Sequence, residues 1–329
     1  MQIHLLTDEH FDQLRQIGDP KADAAIQHWV ETEGSGALRK GMAFLGNRTD
    51  VDAQNVPPGL VAFFQEMPAL PAFADPAQMD LAFGIHQRYF QQIGIVLGCY
   101  SLPYCFLAAN GAKVLHVSDK IRKQAYNRIF ETNEFITFVM QPDHWADGRA
   151  AFVIQKVRLL HAAVRFFIRT KGEWSSDWGV PVNQEDALGT NLAFSYIVMK
   201  GLRKLGFRLT EVQEWAYVHT WNVIGAWMGI PETLLPENWD EAEAIDAHIA
   251  RRQFRPSPES RALMQAFMAT FREVTGSNFA RDMLLTQTRL MIGVTYAEAL
   301  AIPQTRIPIR FLHSINQMGA RFHEWKTSD

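Results

Sequence analysis

The sequence predicts an all-α protein of many helices in a single compact domain. Three observations predict it. Apolar residues recur at helical spacing along most of the 329 residues, with no sustained period-two alternation of a half-buried strand. Capping and stop signals cut that pattern into helix-sized pieces. No repeat, low-complexity tract or linker divides the chain, although a polar break at 236–258 reads as a surface arm.

The elements follow in order. Residues 8–31 form an amphipathic helical region interrupted by "GDP" at 18–20, and 32–59, rich in Gly, Asn and Asp, read as an extended excursion over the surface. Helices are expected at 60–67, 76–98, 103–116, 118–139 and 147–170. "GVPVNQEDALG" begins as a loop with Asn183 as a cap, then becomes a helix running to Lys204, where Gly206 suits a left-handed end. Thr210 and Gln213 make a capping box for a helix over 211–228, closed by "GIP". Pro258 in "SPES" opens another, and two more are expected at 278–300 and 309–325. The single domain 1–329 thus divides into an N-terminal helix and excursion (1–59), core helices (60–230) and C-terminal helices (231–329).

Composition bounds the function. With 47% hydrophobic, 12% aromatic and 20% charged residues, the chain can fill a sizeable core. A net charge of −3 and a pI near 6.4 supply no basic field for nucleic acid. "MQIHLLTDEHFDQL" has neither the basic nor the apolar region of a secretory signal, and Cys99 and Cys105 read as buried thiols in a reducing compartment, so a cytoplasmic location is expected. The uncharged stretch 93–112 matches a membrane span in length, but Pro103, its glycines and its polar residues favour two short buried helices broken at "SLP" over a transmembrane segment.

"KVRLLHAAVRFF" (156–167) carries the most informative chemistry. At about 100° per residue, Arg158 and Arg165 fall to one side of His161, while Val157, Val164 and Ile168 fall to the other. The imidazole stands on a seam between an apolar and a cationic stripe. A flat apolar cofactor with an anionic edge, such as haem b, fits that seam: iron takes an axial imidazole, and propionates take Arg forks. A helix histidine beside two surface arginines is the alternative. No CxxCH occurs, so a haem would be held non-covalently.

In "RIFET", Arg128 and Thr132 share a helix side, suited to a carboxylate, a propionate or oxygen, or to an ordinary polar pair facing water. Glu185 and Asp186 follow Asn183 in a first helical turn, and Thr190, Asn191 and Ser195 place small polar groups in an apolar helix. His219, among the aromatics of 211–228, is the second ligand candidate. No HExxH, no paired ExxH, no GxSxG and no glycine-rich phosphate loop is present.

"IGDPKAD" (17–23), "RIFET" (128–132), "KVRLLHAAVR" (156–165), "GVPVNQEDALGTNLAFS" (179–195) and "WNVIGAWMGI" (221–230) together resemble, in this order, the latex-clearing-protein and MpaB-type oxygenase family. The likeness runs from about residue 12 to about residue 300. It implies a b-type haem protein with a globin-like helical core and additional helices. It implies His161 as the axial iron ligand, Arg128 and Thr132 as the signature catalytic pair, and Arg165 at a propionate. Arg158 and Thr190 join as candidate cofactor contacts.

Members of that family use dioxygen to cleave isoprenoid carbon–carbon double bonds, in rubber or in a prenyl side chain. The chain departs from the rubber-cleaving members in showing no export signal, which points to a small hydrophobic substrate. It also has no glutamate base upstream of the Arg/Thr pair. Asp119 is the only acid between 93 and 130, and Glu131 is a conceivable substitute to which the base role is not carried over. The leading expectation is a haem-dependent oxygenase, an oxidoreductase. A non-catalytic haem carrier or sensor and a haem-free helical scaffold are the alternatives.

Overall fold

The computed structural model describes residues 6–47, 50–117, 131–172 and 174–326. Among them there is no strand, only an isolated bridge between Ala108 and Phe254, so the all-α class holds. The helices are α1 (Asp8–Leu14), α2 (Pro20–Glu33), α3 (Ser35–Gly46), α4 (Val61–Gln65), α5 (Pro76–Arg88), α6 (Phe90–Val96), α7 (Leu102–Leu107) and α8 (Ala109–Val117). After α9 (131–139) come α10 (Pro142–Ala146), α11 (Arg149–Lys171), α12 (Gln184–Phe194), α13 (Tyr196–Leu205) and α14 (Glu211–Trp227). The chain closes with α15 (Trp239–Gln253), α16 (Pro258–Thr275), α17 (Asn278–Ile292), α18 (Val294–Ala299) and α19 (Ile309–Lys326).

Local chemistry accounts for the main boundaries. Asp19 caps α2 by accepting from Ala22 N–H at 3.2 Å, and Pro20 occupies the first turn, where its missing donor costs nothing. The Thr210–Gln213 capping box forms in both directions. Helix α11 is bracketed by Gly148 (φ 79°) and Gly172 (φ 71°), left-handed positions that a side chain would strain.

The structure corrects four sequence expectations. Residues 35–46 are helical, because Leu38, Gly41 and Leu45 form a buried stripe. Its glycine is required rather than permissive: a Cβ on Gly41 would stand 2.0 Å from the Trp29 indole, which also presses on Gly59. The apolar stretch is not broken at "SLP"; a π-helical turn, Leu97–Ser101, joins α6 to α7. Pro103 has no N–H to return to the Cys99 carbonyl, and the wider turn accommodates that loss. The expected helix to Lys204 breaks at Ser195, whose hydroxyl bonds back to the Asn191 carbonyl at 2.8 Å. The polar break at 236–258 is no surface arm, since α15 buries Ala242, Ile245, Asp246, Ile249 and Gln253.

Two apolar cores meet at α11. The larger gathers α5–α9 and α12–α18, while the smaller packs α2, α3 and α4 against Leu159, Leu160, Ala162 and Ala163 of α11. His161 therefore lies on the helix that divides them. Residues Phe90–Leu107 are apolar and long enough to cross a membrane, with nearly half of that stretch buried inside the protein.

Candidate functional site

A cavity of about 400 Å³ opens beside α11 on the side of the larger core. Val157, His161 and Val164, one helix stripe, form part of its wall. Leu97 and Gly98 of the π turn, Thr132 and Ile136 of α9, Thr190 and Asn191 of α12, and Trp221 of α14 complete much of the lining. The structure thus brings together His161, Thr132 and Thr190, which the sequence had singled out separately. Glu131 is half-buried beside this wall but does not line the cavity. Arg128 lies outside the described residues.

The cationic stripe turns the other way. Arg158 holds Asp19 with both arms, Nε at 2.5 Å and Nη2 at 2.9 Å from its two oxygens, and its guanidinium lies over the Phe63 ring of the smaller core. It does not line the cavity, and Asp19, the cap of α2, supplies an anion to its fork. Arg165 donates from Nε to Asp23 at 2.7 Å and from Nη1 to the Val182 carbonyl at 3.1 Å. Its Nη2 is buried with no hydrogen-bond partner. Val182 itself lines the cavity and holds a positive φ of 52°, a strained conformation for a β-branched residue. So Arg165 keeps its Nη2 donors uncommitted while its Nη1 holds a residue of the cavity wall, whereas Arg158 keeps its fork on Asp19.

His219, the second ligand candidate, does not line the cavity. Its Nε2 accepts from the Asp75 N–H at 3.0 Å, its ring meets Phe73 edge-on, and burial holds its pKa below the ordinary value. It ties α14 to the start of α5. Among the described residues no three His, Cys, Asp or Glu converge as a metal cluster, which leaves His161 as the imidazole facing the cavity. Cys105 lines the cavity, and burial pushes its thiol up to about 12.

Three acids also line it, and sequence reasoning gave none of them that place. Glu185 accepts from Arg15 (3.1 Å), Arg252 (2.9 Å) and Gln253 (2.9 Å). Asp186 accepts from Arg15 (3.1 Å) and Asn183 (2.9 Å), while burial raises its pKa against the pull of Arg15. Asp246 accepts from the Tyr104 hydroxyl at 2.8 Å, with Lys200 4.0 Å away.

The family described as "ER-bound oxygenase mpaB/B'/Rubber oxygenase, catalytic domain" matches residues 87–316, which hold the cavity, His161 and the start of α19. The chain belongs to this oxygenase family. It is an oxidoreductase. The rubber oxygenase of Streptomyces sp. (strain K30) is 21% identical over 309 residues, covering 93% of this chain and 72% of that protein. A solved structure of latex clearing protein in the closed state superposes with a TM-score of 0.80 at 20% identity, over 94% of this chain and 84% of that one. At that identity the match establishes a shared fold.

Within this mpaB/rubber-oxygenase domain, the cavity and most of the larger core fall in the matched segment, while α1–α4 and most of α5 precede it. The residues that sequence reasoning missed are Arg15, Tyr104, Asp246 and Arg252. Only the first-turn acids Glu185 and Asp186 gave a signal, and that signal pointed to the helix dipole rather than to a network of arginines.

Proposed function

We propose that the protein is a haem b-dependent oxygenase that uses dioxygen to attack a carbon–carbon double bond of a small hydrophobic, isoprenoid substrate. The observation that carries the reading is the position of His161, on the wall of an apolar cavity between Val157 and Val164. The residues present fit a haem. An imidazole suits iron, an apolar wall suits the macrocycle, and two buried donors without partners, Arg165 Nη2 and Asn191 Nδ2, suit an acidic edge.

In this reading His161 binds the iron, and Arg165 and Thr190 steady the propionates. Thr190 donates its hydroxyl to the Asp186 carbonyl at 2.7 Å, which leaves the oxygen to accept from a protonated or water-bridged group. When bound, the haem supplies oxygen binding and activation at iron. The chain excludes water with Val157, Val164, Ile136 and Trp221, and orients an apolar substrate by shape. Thr132 offers a hydroxyl from α9 within the same cavity. Arg128 retains the role that the resemblance gives it, with no geometry added, and no base role is carried over to Glu131. The rubber oxygenase supports an isoprenoid class of substrate.

Oxygen uptake by the purified protein, measured across a panel of isoprenoids, tests this. Wild type is expected to consume oxygen in step with loss of the alkene, and His161→Ala to fall to background. Haem-loaded wild type that is inert across the panel would overturn the enzymatic part of the reading.

A further inference from the structure

We propose that Asp246 and Tyr104 form a polar anchor inside the cavity that selects substrates bearing a hydrogen-bond donor, a hydroxyl or phenol, at one end of an apolar body. This rests on the cavity being the substrate site.

The argument begins with the acids. Each oxygen of Glu185 and Asp186 already accepts from an arginine or amide donor. Asp246 differs. It is 8% exposed, one oxygen accepts from Tyr104, and its other oxygen has Lys200 at 4.0 Å, beyond hydrogen-bond reach. An ionised carboxylate accepts about four bonds, and burying one beside apolar walls with a single donor is costly. The carboxyl also shares one face of α15 with Ile249 and Gln253, at positions i, i+3 and i+7, and all three line the cavity. Tyr104, from α7, lines it too.

A bare hydrocarbon filling this space would strip water from the second oxygen and return nothing. A hydroxyl there restores the bond. The expected preference for an alcohol over its ether is about 10- to 100-fold, the usual value of a charge-assisted hydrogen bond.

The groups facing Asp246 are Tyr104 from α7, Tyr100 from the π turn, Tyr196 and Lys200 from α13, and Glu243 one turn earlier on α15. Burial raises the Asp246 acid to about 6, with the Tyr104 bond and Lys200 pulling down and Glu243 pushing up. Its accepting, ionised form therefore predominates above pH 6, and the alcohol preference fades as pH falls through that value.

Calorimetric titration of the purified full chain with a prenyl alcohol and with its methyl ether tests the anchor. Wild type is expected to bind the alcohol at least about 10-fold more tightly at pH 8 and about equally at pH 5. Asp246→Asn should retain part of the preference without its pH dependence, and Asp246→Leu should abolish it. Tyr104→Phe, which removes a bond that lowers the acid's pKa, should move the midpoint above pH 6. Equal affinities at pH 8, no binding of either ligand, or an unchanged pH profile in Asp246→Asn would overturn the proposal. If Asp246→Leu fails to fold, the Asn and Phe variants decide. A colourless protein that still discriminates would overturn the haem reading and leave the anchor standing, whereas a haem-loaded protein that does not discriminate would overturn the anchor alone.

Discussion

Arg158 and Asp19 are joined by two hydrogen bonds, Nε–Oδ2 at 2.5 Å and Nη2–Oδ1 at 2.9 Å, while Asp19 also caps α2. Both side chains are largely buried, with relative exposures of 14% and 8%. Breaking such a pair leaves a buried charge uncompensated, at a cost of about 3 kcal/mol. Gly229 leaves room for it, since a Cβ there would stand 2.4 Å from Asp19 Oδ2. Arg158→Ala and Asp19→Ala are each expected to lower unfolding free energy in urea by about 3 kcal/mol, with a double mutant well short of additive. Neither should change the visible spectrum. Loss of haem absorbance in folded Arg158→Ala would show that the fork serves the cofactor after all.

Lys156 is fully buried, and among the described residues no salt bridge to a carboxylate reaches it. Its Nζ donates to the carbonyls of Asn47 (2.5 Å) and Asp50 (2.7 Å) and sits 4.1 Å from the centre of the Phe44 ring. Lys156→Met keeps the apolar stem but leaves two carbonyls without their donor. It should lower stability by about 1–3 kcal/mol, read as a fall in thermal midpoint. An unchanged midpoint would mean that water replaces the ammonium at no cost.

His86 supplies a pH dependence. It is 2% exposed, with Nδ1 3.3 Å from the Tyr217 hydroxyl and Nε2 buried without a partner, and burial lowers its pKa to about 4. The folded state therefore holds the ring neutral while the unfolded chain protonates near 6.5. Its contribution is present above pH 6.5 and is lost as pH falls through about 4, amounting to roughly 3 kcal/mol. Urea unfolding at pH 7 and pH 4.5 should show wild type losing more stability than His86→Leu. Parallel losses in the two proteins would rule this out.

The seam on α11 was legible because helical period alone fixes which residues share a face: Val157, His161 and Val164 do line one wall. What meets the opposite stripe was not legible. Arg158 finds Asp19 139 residues away, and Arg165 finds Asp23 142 residues away, separations that no local pattern encodes. Asp246 and Tyr104, also 142 residues apart, were hidden for the same reason. Helix α3 was missed on its glycines, which read as loop signals, although the Trp29 indole requires one of them, Gly41. His161, Thr132 and Thr190, which the resemblance singles out one by one, line a single cavity. Nothing in their spacing alone could have joined α9, α11 and α12.

The visible absorption spectrum of the purified protein, after expression with a haem supply, tests the central claim most directly. Wild type should show a Soret band, and His161→Ala, folded by circular dichroism, should lose it or show it displaced by a change of axial ligand. A colourless wild type, or a Soret band identical in the two proteins, would contradict the assignment of His161 to haem iron.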